Sequence, residues 1–464
     1  MASPNALTFK VTRQNPELIR PAKPTPHEFK PLSDIDDQEG LRFQLPLIEF
    51  YRKNPAMEGK DPVKVIRDAL AKALIFYYPF AGRLRETAGR KLVVECTGEG
   101  VLFIEADADV RLQQFGDTPQ PPFPLLEELL YDVPGSSGMV NCPLLLIQVT
   151  RLKCGGFIAA LRANHTMSDG FGLFQFTATM AELARGAEIP SVLPVWQRHL
   201  LSARDPPQVS YMHDEYENIP DTKETLIPLD NMVQRSFFFG PGEISALRRH
   251  LSPHLRRCTT FELVAACIWR CRTIAISPNP NEEVRIICFV NGRRLFNPPL
   301  PAGYYGNVLA TPLAISTAGN LCKQPLDFAL ELVMKAKSKV TEDYIKSVAN
   351  LMAIRGRPQF AGDVRTYVVS DLTHVGSYSL DYGWGTPVFG GPAKSGVGVA
   401  HALLNFNIPF KNNKGERGKL VPICLPANAM EVFAKELEKM VKRDDDTDLG
   451  DSGKRSIFIG HTRL

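Results

Sequence analysis

The sequence predicts a mixed α/β protein of two domains, and three observations carry that prediction. At 464 residues the chain is longer than one compact core ordinarily grows. Strand-like and helix-like hydrophobic periods alternate through both halves. Between the halves, from about 187 to 235, Pro190, Pro194, Pro206, Pro207, Pro220 and Pro228 interrupt any regular pattern. Such a length without periodicity marks an interdomain crossover. The crossover proper is placed at 201–225, leaving 1–200 as the N-terminal domain and 226–464 as the C-terminal one.

In the first half, "KDPVKVIRDALAKAL" reads as a helix with Asp61 as N-cap and Pro62 at the first helical position. Val63, Ile66, Leu70 and Leu74 form its apolar face, which should pack on a sheet. Two hairpins are expected next, at 91–106 and 144–164, each an apolar pair around a glycine-bearing turn. A helix follows in "FGLFQFTATMAELARG" and stops at Gly186.

The second half opens with the helices "PGEISALRRHL" and "TTFELVAACIWRCRTI" and the strand "VRIICFV". One long helix, "PLDFALELVMKAKSKVTEDYIKSV", is expected after them. The strand "RTYVVSD", the pair "ALLNFNIPF" and "KLVPICLP", and a helix from Met430 to about Lys442 complete the set. The charged stretch "KRDDDTDLGDSGKR" reads as a solvated loop.

Composition excludes several functions. Lys and Arg total 54 against 50 Asp and Glu, a net charge of +4, too even for a dedicated nucleic-acid binder. Nine cysteines with no C-x-x-C spacing fit neither a disulfide framework nor a thiolate zinc site, and point to core residues in a reducing compartment. The N-terminus lacks a secretory h-region, and no run approaches the ~18 apolar residues of a membrane helix, so a soluble, unsecreted protein is expected. Thr462-Arg463-Leu464 imitates a peroxisomal address without matching it, which leaves peroxisome and cytosol both open.

Chemistry concentrates in "NHTMSDG". His165 stands where an alternating strand runs out and a helix begins a few residues later, a rigid mount for a general base. A plain alternative is a packed strand-end histidine beside Asp169-Gly170 as an ordinary helix N-cap. A second segment, "SLDYGWGTPVFGG" at 379–391, crowds glycines around one tryptophan, which by itself suits a turn over a core ring.

Taken together, "HTMSDG" and "DYGWG" resemble the H-x-x-x-D and D-F-G-W-G signatures of the plant BAHD acyl-CoA-dependent acyltransferases, with Tyr382 in place of phenylalanine. The resemblance runs through "YYPFAGRL", "TTFELVAACIWR" and "NGRRLFNPPLPAGYYGN". The N-terminal run at 11–51 is similar to a branch of the family that moves benzoyl groups to benzyl alcohol.

That resemblance implies two domains like chloramphenicol acetyltransferase with a solvent channel at their interface, a segment at about 375–402 returning to the first domain. It implies that His165 is the base, that Asp169 fixes local geometry by a salt bridge, and that Asp381 pairs with Arg293 and so pins the motif loop. Trp384 matches a position whose indole helps the oxyanion in some relatives, which places Asp381 and Trp384 with His165 and Asp169 in a catalytic set. Gly383, Gly385, Arg293 and Asn307 are implied as structural residues.

For the co-substrate acyl-CoA, the helix start at Thr259-Thr260, preceded by Arg256 and Arg257, offers donors to phosphate, or else is an N-cap with two solvated arginines. The implied partners are a small alcohol and acyl-CoA, benzoyl first, with acetyl and hydroxycinnamoyl donors behind it. No tightly bound cofactor, metal or membrane insertion is implied, and a monomer is expected. No G-x-S-x-G elbow supports a serine hydrolase. A non-catalytic family member that binds a metabolite remains the alternative of another class.

Overall fold

The computed structural model describes residues 7–218, 231–360, 362–395, 404–442 and 458–463. Two mixed sheets organise the chain. The first runs in the order Val11–Arg13, Val101–Ala108, Leu145–Leu152, Phe157–Asn164, Gln44–Tyr51 and Phe389–Pro392, with Glu17–Ile19 also on Val101–Ala108. The second runs Leu309–Ala310, Glu283–Asn291, Thr366–Asp371, Leu404–Lys411, Arg417–Pro426, Met232–Phe239 and Phe458–Arg463, with Leu313–Thr317 also on Glu283–Asn291. The strand at Phe389–Pro392 pairs with Gln44–Tyr51, so a late piece of chain completes the early sheet.

Local signals set the helices. Asp61 accepts from the Val63 N–H, Pro62 starts the Pro62–Phe76 helix, and Val63, Ile66, Leu70 and Leu74 are buried among the first domain's core. The Thr260–Ile276 helix packs on Leu326–Ser338 and Ala427–Val441 around the second core, with Trp269 fully buried. Cores of this kind are what hold each sheet flat against its helices. The hairpin at 144–164 forms, Leu145–Leu152 running antiparallel to Phe157–Asn164. All nine cysteines are unpaired and seven are buried, as small core residues.

Two expectations fail. The segment 91–106 is no hairpin: Leu92–Glu95 pairs with Phe29–Pro31 and Arg83–Glu86 in a small third sheet, while Val101–Ala108 lies in the first. The turn between them passes from one sheet to another, and Gly100 takes φ +108° with its α-carbon pressed against the Ile19 carbonyl, where a Cβ would lie 2.3 Å from oxygen.

The long helix is two, Leu326–Ser338 and Glu342–Arg355. Thr341 caps the second by accepting from the Tyr344 N–H at 3.1 Å. Its halves serve different cores: Leu330 and Val333 join the second sheet's core, whereas Tyr344, Ile345 and Val348 pack with Phe296 and Val308. The last long helix begins three residues earlier than expected, at Ala427. Most of the charged stretch after Lys442, part of the 201–225 crossover and Leu464 lie outside the described residues.

Candidate active site

The Phe157–Asn164 strand ends in one short turn, His165–Met167, before the Gly170–Ala184 helix. Asn164 caps that turn by accepting from the Thr166 N–H at 3.1 Å, and Asp169 caps the helix by accepting from Gly172 N–H at 3.0 Å. The capping aspartate of the plain reading therefore exists, four residues after the histidine.

His165 faces a cavity between the two sheets that encloses about 860 Å³, part of it open to solvent. Leu45, Leu47 and Pro392 from the first sheet and Phe289, Leu404 and Phe406 from the second share its walls. Its lining is mainly apolar, the usual character of a small-molecule site. The ring lies 5.0 Å from that of Phe43, centroid to centroid. Nδ1 is sealed from solvent without a hydrogen-bond partner, whereas Nε2, with no protein partner, keeps its accessible surface on the cavity. An imidazole so held offers one lone pair outward.

Burial holds the imidazole below its ordinary pKa of 6.5, and the charge of Asp169 and the side chain of Asn307 oppose this only in part. Asp169 shows the reverse balance. Burial pushes its carboxyl up, but Arg293 and the N–H groups of Gly172 and Val308 outweigh burial and hold it below 3.8.

Arg293 settles one question differently from the resemblance. Its guanidinium grips Asp169 with both arms, 2.6 and 2.8 Å, and also donates to the Gly306 carbonyl at 2.7 Å. It does not pair with Asp381. A planar fork reaches one carboxylate fully, and the turn after Glu283–Asn291 points it at Asp169. Asp381 instead accepts from the N–H groups of Gly383 and Gly385 at 2.7 and 2.8 Å. Those glycines have φ +111° and +87°, which only glycine adopts easily, so the aspartate pins its own loop.

Trp384 is buried edge-on against Phe157 at 5.3 Å. Neither Asp381 nor Trp384 lines the cavity that holds His165. Thr259 forms a capping box with Glu262, whose carboxylate occupies the positive helix start where a phosphate was expected. Arg256 donates to the Leu251 carbonyl, and none of Arg256, Arg257, Thr259 and Thr260 lines the cavity.

Asn307 is wholly buried beneath the base, donating to Asp36 Oδ1 and to the His165 carbonyl, both at 2.9 Å. Its partner Asp36 and the buried Arg198 are residues that sequence reasoning missed. Arg198 donates to Asp36 at 2.8 Å and to the Met167 carbonyl at 2.8 Å, so this pair braces the histidine turn from below. No motif announced them. Arg198 lies in the proline-broken crossover, where periodicity gives no signal.

Two mixed sheets thus meet at an apolar cavity, and a braced imidazole faces it. A family model described as the Transferase family matches residues 9–440, and the chain belongs to that family, the BAHD acyltransferases. It is 65% identical over 453 residues to a benzyl alcohol O-benzoyltransferase of Petunia hybrida, covering 98% of this chain and 97% of the relative. A benzyl alcohol O-benzoyltransferase of Nicotiana tabacum is also 65% identical, with 94% and 95% covered. Alcohol acyl transferase 1 allele GSa of Malus domestica is 55% identical, with 93% and 94% covered. Among solved structures, vinorine synthase superposes with a TM-score of 0.72 at 23% identity, covering 93% of this chain and 99% of that one. The F. graminearum TRI101 complex with ethyl coenzyme A gives 0.68 at 14%, with 88% and 96% covered; both likenesses concern the fold.

Proposed function

We propose that this acyltransferase moves an acyl group, benzoyl first, from a CoA thioester to the hydroxyl of a small alcohol such as benzyl alcohol. The observation that carries the reading is the single open nitrogen: His165 Nε2 faces the cavity with no protein partner, on an uncharged ring. Nε2 takes the hydroxyl proton as the alcohol oxygen bonds to the thioester carbonyl carbon. The tetrahedral intermediate then collapses with its C–S bond breaking, and the imidazolium returns the proton to the departing sulfur. The thioester is already activated, so one base suffices and no acyl-enzyme forms; such proton transfer typically contributes ~10²–10⁴ in rate.

Asp169 and Arg293 position the base without touching substrate. Arg256, Arg257, Thr259 and Thr260 are proposed to meet the CoA phosphates, chiefly through the two guanidiniums, since Glu262 takes the helix end. We take 1–200 with about 375–402 as one domain, 201–225 as crossover and 226–464 as the other, acting as a monomer. Among the described residues no helix is long and apolar enough to cross a membrane. A peroxisomal or cytosolic location goes with the reading, and a fluorescent fusion that leaves the C-terminus uncovered would report it.

The test is purified protein with benzoyl-CoA and benzyl alcohol. Benzyl benzoate is the expected product; benzoate alone would mean a hydrolase, and no product would favour a metabolite-binding protein. His165→Ala should abolish ester formation with the fold intact. The alcohol acyl transferases at 54–56% identity favour a second reading, other acyl donors such as acetyl-CoA, which a matrix of donors against alcohols decides.

A further inference from the structure

One strand measures the cavity. Leu41, Phe43, Leu45, Leu47 and Glu49 all line it, every second residue running into or along the Gln44–Tyr51 strand, as the period of two requires. Phe43 stacks near His165 and accepts its backbone N–H, which fixes one end. Glu49 lies six residues on, about 20 Å along an extended strand. The Gly170–Ala184 helix supplies a second ruler: Gly170, Leu173, Phe174 and Thr177 line the same cavity, and Thr177 stands ~10 Å beyond Gly170. A benzyl group at His165 covers only part of this length.

The far end is polar where the middle is not. Glu49 and Thr177 line both the main cavity and a smaller neighbouring one walled by Ile66, Met180 and Tyr382. Ser377, also lining the cavity, donates to the carbonyl of Gly390, the residue paired with Glu49 across the sheet. Tyr51 donates to Glu49 Oε2 at 2.7 Å and is the carboxyl's hydrogen-bonding partner among the described residues; no arginine or lysine there pairs with it. Burial accordingly pushes this carboxyl up to about 7, against the smaller opposing influence of Tyr51. A half-buried carboxyl among apolar walls with no cation beside it is costly, and a leucine in its place would be cheaper if the cavity held only hydrocarbon.

We propose that Glu49 is a specificity-determining residue that hydrogen-bonds a hydroxyl at the far end of an elongated alcohol whose reacting hydroxyl lies at His165, so that terminal diols are preferred over simple alcohols of equal length. This rests on His165 as the base. The remote hydroxyl donates to the Glu49 oxygen not used by Tyr51, and the chain between the two ends lies along Leu45, Leu47, Leu173 and Phe174.

The experiment compares 1,10-decanediol, long enough to span about 20 Å with a hydrogen bond at each end, with 1-decanol. In the wild-type protein kcat/KM should favour the diol, Glu49→Gln should keep a preference because an amide still hydrogen-bonds, and Glu49→Leu should lower the ratio at least tenfold. A wild-type ratio near one, or a Glu49→Leu ratio within twofold of wild type, overturns the proposal. Calorimetric binding of the two alcohols without acyl donor gives the same comparison independently of turnover. If no alcohol yields ester, the reading of His165 fails, while a diol affinity that exceeds that of decanol and falls in Glu49→Leu still supports Glu49. If Glu49→Leu does not fold, equal wild-type affinities for the two alcohols overturn it.

Discussion

At the scale of single residues, two side chains in one cavity are shifted in opposite directions by the same burial. His165 binds its proton more weakly in the folded protein than at the ordinary 6.5, so the base stays unprotonated into mildly acid solution. The acid limb of kcat/KM should therefore inflect below pH 6.5, and a limb centred above 7 would contradict the assignment. The same depression makes this histidine a source of instability in acid: the unfolded chain binds more protons, so stability falls as pH drops through about 6.5. Glu49 has the reverse sign. Its folded value of about 7 exceeds the ordinary 4.5, so the folded protein binds more protons between those values and loses stability as pH rises through 7. Glu49→Gln should raise the melting temperature at pH 8 by roughly one to three degrees, and by less at pH 5. A signal for Glu49 was present in the sequence, a lone acid at the inward parity of an apolar strand, but parity alone does not say that a cavity faces it.

At the scale of elements, the helix that starts at Gly170 is tied to the second sheet through its cap. Asp169 serves three donors at once: Gly172 of its own helix, Arg293 and the Val308 N–H from the other domain. Arg293→Ala or Asp169→Asn should lower kcat about 10- to 100-fold while KM for the alcohol changes little, since the base is misplaced but the apolar walls remain. The two losses should not add, because both break one contact. Steady-state kinetics of the single and double variants checks this, and additive losses would separate the residues. The cap was legible from Asp169-Gly170; its distant partner was not, and the resemblance named the wrong aspartate for Arg293.

At the scale of the whole molecule, the segment "SDIDD" near the N-terminus clasps the crossover and the second domain. Asp36 accepts from Arg198 at 2.8 Å and from the backbone N–H of Asn307 at 2.8 Å, and Asp37 accepts from Arg357 at 2.8 Å. Asp36 and Arg198 are both buried, so removing one strands the other's charge. Asp36→Ala should destabilise the protein by about 3–5 kcal/mol in a denaturant melt, which does not mean that the intact pair contributes that much. A loss under 1 kcal/mol would show that water reaches the pair.

Helix starts at Asp61 and Asp169, the hairpin at 144–164 and the strand end that carries His165 were fixed by contiguous residues, because caps, periods and turns act over a few positions of chain. Which sheet receives Leu92–Glu95, which carboxylate Arg293 grips and what lies opposite Glu49 were decided only by tertiary structure. Each of those depends on segments tens to hundreds of residues apart, whose meeting is set by the closure of two cores and leaves no local mark.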